Sequence, residues 1–432
     1  MILLYTPQIT SRLSYIARFL FETILGVRVT ITTNRDEFDK SSLPRINYSH
    51  EESDCITIFP HPLLAEDDIN FFTPQVSLYN NIPILFPGNN QPDIPFDPFA
   101  AAFFMVSRYE EYRPQHYDQH QRVMASESVA FQNNFLEIPV VDHWAMFLKQ
   151  LIEEYYPKFV FPERKYTYIP TIDVDIAYAY RYRSFLRTSG AVAKAIIKRN
   201  KNDLKLRWDT LIQGDADPFD TYDLFSEWHK QYGLNPVYFF LVGQYGPYDK
   251  NISPFHPSIR KLIHEIGNNN NVGLHPSYGS NANIKILNNE LKILESILGR
   301  KVTASRQHFL KLNLPETYQR LIDCGITEDY TMGYADAPGF RAGTCTPFPF
   351  YDLRTETETT LMVYPFQVMD GTLNHYKKFS VLEALETMSL LINEVKKVNG
   401  TFISLWHNES LGEMREWEGW RVVYQQLLSL AT

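Results

Sequence analysis

The chain of 432 residues has only three cysteines, Cys55, Cys324 and Cys345, far apart and odd in number. That excludes a disulfide framework and a cysteine-rich zinc site, and it suits a reducing compartment. A basic block is also missing. Lys and Arg number 41 against 50 Asp and Glu, for a formal net charge of −9. Apart from the short run Lys198-Arg199-Asn200-Lys201, which reads as the cap of a solvated helix, nothing would track a phosphate backbone, so no nucleic-acid partner is expected. Long apolar runs are absent as well. Met1 to Tyr5 is short and lacks a charged leader, and the Leu13, Ile16, Ala17, Leu20, Ile24 pattern is interrupted by Arg12, Arg18 and Glu22, as in an amphipathic helix. Neither a secretion signal nor membrane insertion is expected, and the expected location is cytoplasmic.

What is present is ample core material, with 44% hydrophobic and 14% aromatic residues, 27 of them Tyr and six Trp. These rings suit sugar stacking as well as an aromatic core, so abundance alone does not separate the two. The length exceeds what one core usually serves, and two domains are expected, 1–160 and 161–432. The first reads as a small α/β unit with strands near 2–5, 27–32, 56–59 and 82–86 and a helix over 11–25. Asp97-Pro98 is a favourable cap and first-turn proline for a helix that would dock this unit on its neighbour. His116 and His120 lie in a polar segment, 113–134, and read as surface residues because Asp118 would face away from them on a helix.

From 165 onward, apolar β-runs alternate with polar loops and helices, as in parallel strands joined by crossover helices. Strands are expected near 166–172, 236–242, 271–274, 302–305, 325–327, 360–366 and 401–406, with helices over 222–232, 258–267, 284–298, 314–324 and 381–398. Seven strands of this kind suggest a barrel. The first ends in Asp173 and Asp175, which share one side of an extended chain. Two such anions repel unless a cation lies between them or one holds a proton. A lone pair of this kind is more often a solvated strand end, and context must overturn that reading. Here it does. His275, Arg306 with His308, and His407 also follow strands directly, and in parallel α/β barrels chemistry gathers at the carboxyl ends.

In that order, Thr171-Ile-Asp-Val-Asp175, Gly273-Leu-His275-Pro-Ser277, Ser305-Arg306-Gln-His308-Phe309 and Leu405-Trp-His407 resemble successive motifs of the polysaccharide deacetylase superfamily (NodB homology, carbohydrate esterase family four). Val237-Tyr-Phe-Phe-Leu-Val-Gly243 is similar to its second strand. The likeness spans about 165–410, while the first unit and the segment 333–343 look like a long bacterial subgroup with an extra α/β domain. The resemblance implies an α/β chain in which a distorted (β/α)7 barrel follows a smaller α/β domain. It further implies a metal-dependent N- or O-deacetylase, with Asp173 as general base, Asp175 and His275 as metal ligands, Arg306 orienting Asp173 and His407 as general acid. Asp329, or Asp336, would orient His407, and Arg341 and Asp370 would line the cleft. Tyr278, Trp406, Tyr334 and Trp208 are candidates for sugar stacking, and equally for core packing.

One departure matters. The family's second motif has H-x-x-x-H, but four residues after His275 stands Gly279. His308, where the family commonly has proline, would restore an Asp/His/His set like those of catalytic zinc sites; water, Ser277 or Ser280 are the alternatives. Zinc is the expected metal, with cobalt or nickel almost as well suited. The expected function is removal of an acetyl group from an N-acetylated sugar or glycan precursor, with a carbohydrate substrate as partner. The alternatives are a catalytically weakened barrel that binds carbohydrate or aids assembly, and an amidase with a non-sugar substrate.

Overall fold

The computed structural model describes residues 1–88, 93–113 and 116–432. It is a mixed α/β chain built on two main sheets and one hairpin. The first sheet has the order β2-β1-β3-β4, all parallel, from β1 (Ile2–Tyr5), β2 (Val29–Thr32), β3 (Arg45–Asn47) and β4 (Ile56–Thr57). The helix Ser11–Arg18 starts at Thr10, whose side chain accepts from the Leu13 amide, and its buried face holds Leu13, Ile16 and Ala17 of the apolar stripe together with Tyr15 and Arg12, whose guanidinium pairs with Glu356. The hairpin β5 (Val76–Tyr79) and β6 (Ile82–Leu85) follows. Asp97 caps the helix Pro98–Val106 by accepting from the Phe99 and Ala100 amides. Every residue of that helix is buried, which fits its run of Ala and Phe.

The second sheet holds β7 (Thr167–Val174), β8 (Val237–Phe240), β9 (Asn271–Leu274), β10 (Ala304–Ser305), β11 (Glu328–Asp329), β12 (Phe348–Asp352), β13 (Thr357–Val363), β14 (Val368–Met369) and β15 (Thr401–His407). Its order is β12-β13-β11-β10-β9-β8-β7-β15-β14, parallel throughout except for the β12–β13 pair. Beyond β13 the chain changes sides. The Tyr364 amide donates to the Asp329 carbonyl at 2.8 Å, and the Gln367 amide donates to the Ile403 carbonyl at 3.0 Å. One stretch of chain thus touches both β11 and β15.

The faces of this sheet divide by residue parity. Ile169, Val237, Phe239, Ala304, Tyr330, Tyr364, Ile403 and Leu405 gather in small apolar clusters on one side. Ile172, Val174, Tyr238, Phe240, Phe402 and Trp406 belong to the larger core on the helical side. Gly273 lies on the crowded side. A Cβ there would sit 2.5 Å from the Phe239 ring and 2.8 Å from the Ala304 carbonyl oxygen, so only glycine lets β8, β9 and β10 close up.

The outer helices pack through a buried polar contact that gives a pH test of stability. His229, on Tyr222–Gln231, lies 2.6 Å from the Tyr424 hydroxyl on Trp420–Ala431, and burial lowers its pKa from 6.5 to about 4. The stability it contributes is therefore whole above pH 6.5 and is lost as the pH falls through 4. Linkage puts this loss at ~3 kcal/mol. Denaturant unfolding across that window should show a shallower pH slope for His229→Gln than for the unaltered chain; equal slopes would refute the assignment.

Candidate metal centre

The parallel register brings the strand ends into one row. Asp173 on β7 lies opposite His407 on β15 and Phe239 on β8. The His275 amide continues the ladder to the Phe240 carbonyl at 3.0 Å, and the Arg306 amide to the Leu274 carbonyl at 3.0 Å. Asp175, His275, His308 and His407 thereby line one cavity of about 180 Å³ together with Asp173, Phe309, Tyr376, Glu409 and Trp417.

Three ligand atoms, from Asp175, His275 and His308, lie within 4.8 Å of one another. The His275 Nε2 is 3.0 Å from Asp175 Oδ1, and the His308 Nε2 is 3.3 Å from Asp175 Oδ2. Each imidazole is turned by a partner at its other nitrogen. His275 Nδ1 lies 2.6 Å from the Arg306 carbonyl oxygen, which can only accept, so the proton of the neutral ring belongs on Nδ1. His308 Nδ1 lies 2.9 Å from Asp249 Oδ1, with the same consequence. Both Nε2 lone pairs then face the Asp175 carboxylate, whose Oδ1 is buried without a hydrogen-bond donor. Lone pairs aimed at an anion call for a cation between them. Burial disfavours a charged His308, but Asp175 and Asp249 outweigh it and push its pKa up to about 9. A proton is thus one candidate cation and a divalent metal is the other, and carboxylate–histidine pairs such as Asp249–His308 are the usual support of metal-bound imidazoles.

Asp249 was not legible as a site residue, because it sits in an irregular loop after β8. Asp249→Ala is expected to weaken metal binding ~10–100-fold, the usual cost of losing such a support. Competition titration against a chromophoric chelator measures this directly, and unchanged affinity would remove Asp249 from the site.

Asp173 is buried and held apart from this trio. Its Oδ1 accepts from Arg306 Nη1 at 3.0 Å, while Oδ2 stays 3.8 Å from His275 Nε2. Arg306 is itself fully buried, donates to the Tyr330 carbonyl and the Thr171 hydroxyl, and lies over the Phe239 ring at 4.8 Å. Across the cavity, His407 Nδ1 is 2.8 Å from Asp370 Oδ1, and its backbone amide donates to Asp370 Oδ2 at 2.8 Å. Burial works against the His407 cation, yet Asp370, with Asp175 and Asp173, holds its pKa well above the ordinary range. Its Nε2 is 4.0 Å from Asp175 Oδ2. Nearby Glu409 is raised to about 7, chiefly by burial.

Several expected residues stand elsewhere. Asp329 does not touch His407; it accepts from Ser305 Oγ at 2.8 Å and from Thr331, on the helical side of the sheet. Asp336 accepts instead from the Ala125 amide. Asp370 holds His407 rather than lining the cleft. Trp406 is fully buried against Trp420 and Tyr424, because it precedes His407 by one residue and so points the opposite way. Arg341 is buried against Glu111 and lies outside this cavity. Tyr278 stacks on Tyr248 with centroids 4.1 Å apart, beside Phe309, and does not line the cavity either. Tyr334 is buried beside Arg108 and Arg341, and Trp208 is exposed on a surface helix. Ser277 hydrogen-bonds Glu290, and the Ser280 hydroxyl donates to the Ser277 carbonyl, so both are engaged away from the trio.

Of the two histidines read as surface residues, His116 is exposed as expected and His120 is not. His120 is buried against Phe309, Tyr248 and Tyr278. Arg122 lines the cavity, with its guanidinium shared among Asp118, the Phe309 carbonyl and the Tyr376 hydroxyl. No sequence signal marks it, since it lies 187 residues from Phe309.

A family model described only as a family of unknown function (DUF7033) matches residues 2–157. No curated protein matches. Among solved structures, the chain is similar to a polysaccharide deacetylase candidate from Mycobacterium smegmatis, at 16% identity over 63% of this chain and 85% of that one, with a TM-score of 0.41. It is also similar to Puue allantoinase, at 10% identity over 62% and 85% with a TM-score of 0.39. A third, BA3943 from Bacillus anthracis, a CE4 family pseudoenzyme, shares 11% identity over 61% and 62%, with a TM-score of 0.29.

Proposed function

We propose that this chain is a metal-dependent hydrolase that removes an acetyl group from an N-acetylated sugar or glycan precursor, on a distorted (β/α)7 barrel that the split β13–β14 stretch closes. The observation that carries it is the convergence of Asp175, His275 and His308 on one point, with an undonated carboxylate oxygen there and a separate acid–base pair on either side. In this reading the three residues hold a divalent metal, zinc by preference, and His308 takes the place of the family's second motif histidine. A metal there would polarise the acyl oxygen and bring a water's pKa toward neutrality.

The chain's own groups supply the proton transfers. Asp173, held in place by Arg306, takes the proton of the attacking water. His407, kept cationic by Asp370, gives a proton to the departing amine. The cavity is smaller than the ~300 Å³ at which drug-sized pockets begin, so it takes the acetamido group and the near edge of one ring. Phe309, Tyr376 and Trp417 provide its apolar wall. Arg122 is committed to Asp118, Phe309 and Tyr376, which disfavours the reading as an amidase of small anions. The two sequence domains are likewise proposed as units, with the first supplying Arg122 to the cavity wall.

Acetate release from N-acetylglucosamine oligomers tests the proposal. Release that stops with a chelator and returns with zinc or cobalt is expected; release indifferent to metal would overturn it.

A further inference from the structure

The helix Phe185–Ile197, which follows β7, is amphipathic in the wrong direction for a folded core. At 3.6 residues per turn, Phe185, Leu186, Ala193, Ile196 and Ile197 fall within about 120° of arc. That stripe faces outward. Phe185, Leu186 and Ile197 are 84%, 82% and 81% exposed, whereas the residue turned inward is Ala195. Trp208 and Ile212, in the next helical stretch, are exposed as well, and so is Phe255 across a groove from Leu186. Scattered exposed apolar residues need no explanation, but large apolar side chains aligned along one outward helix face mark an interaction surface.

Charge identifies the occupant. Residues 181–212 carry nine Lys and Arg against two Asp, within a chain whose formal net charge is −9. Lys205 and Arg207 meet Asp209 and Asp203, but among the described residues no carboxylate pairs with Lys194, Lys198, Arg199 or Lys201. Large apolar side chains flanked by unpaired cations are what a helix lying in a bilayer interface presents, with the rings and aliphatic chains below the headgroups and the ammonium groups among anionic lipids. A two-fold dimer through the same face would set these cations against their own copies, and a head-to-tail contact would leave the next copy's face open.

We infer that the face formed by Phe185–Ile197 and the following basic segment docks the protein on an anionic phospholipid bilayer. No described helix is long and apolar enough to cross a membrane, so the contact is interfacial. It lies beside the proposed active site. Arg187 donates to the Lys250 and Asn251 carbonyls, in the loop whose Asp249 holds His308. The docking surface stands on its own residues and does not depend on the hydrolase reading.

Vesicle co-sedimentation of the full chain tests it, with phosphatidylcholine alone and phosphatidylcholine mixed with phosphatidylglycerol. The protein should pellet with the mixed vesicles, stay in solution with the neutral ones, and be released by high salt. Replacing Phe185, Leu186 and Ile197 together by Ser should cut binding tenfold or more, as should Lys194→Glu with Lys198→Glu and Lys201→Glu, with far-ultraviolet dichroism checking the fold. Failure of the unaltered chain to pellet with mixed vesicles would overturn the inference, whatever the variants do. So would equal binding to both vesicle types. A dimer in light scattering that the Ser substitutions dissociate, without vesicle binding, would assign the face to a second copy instead.

Discussion

Asp173→Asn is expected to retain its metal and to lose acetate release by roughly 10²–10⁴-fold, the range for removal of a positioned general base. The substitution preserves shape and an oxygen for the Arg306 Nη1 contact of 3.0 Å, so what disappears is the ability to take a proton. Arg306 is fully buried, and its Nη2 already lacks a partner. Loss of the carboxylate charge beside it should therefore also lower thermal stability. The discriminating readout is metal content with single-turnover rate. A variant that keeps both would show that Asp173 serves only as the counter-ion of Arg306.

Asp370→Asn comes next in expected size, at ~10²-fold or more in kcat/KM near neutral pH. Its effect runs through His407. Burial alone would strip the imidazole of its proton, and the Asp370 carboxylate is the strongest influence that opposes this. A raised pKa keeps the acid protonated at neutral pH. Removing the anion lets burial prevail, so the pKa drops, activity fades at neutral pH and returns in part on acidification. The pH profile of kcat/KM should show its alkaline limb displaced to lower pH. A uniform loss with the limb unmoved would mean that Asp370 merely buttresses the backbone through the His407 amide.

Much of this site could be read from strand ends. Asp173, Asp175, His275, Arg306 and His407 each follow an apolar run directly, and parallel pairing puts such ends side by side. His308, two residues past Arg306, is read as a ligand by the same logic. Two of the readings that failed did so through parity. Trp406 and Asp329 adjoin interior positions, His407 and Tyr330, and neighbours in an extended chain point to opposite faces. That rule was available from the sequence. Asp249 and Arg122 were not, because each reaches the cavity from irregular chain whose path depends on long-range packing, through Tyr278 and His308 for one and Phe309 and Tyr376 for the other. The outward-facing apolar stripe of Phe185–Ile197 shows the converse. Its periodicity is plain in the sequence, but which side faces the core is decided only by the assembled structure.

The convergence of Asp175, His275 and His308 is the premise on which the catalytic reading stands, and elemental analysis of the purified chain addresses it directly. About one equivalent of zinc or a similar divalent metal is expected in the unaltered protein, and its loss in Asp175→Ala, His275→Ala and His308→Ala alike. Full occupancy in His308→Ala would exclude the substituted histidine as a ligand. Persistent absence of metal from the folded, unaltered protein, even after addition of zinc, cobalt or nickel, would contradict the account as a whole.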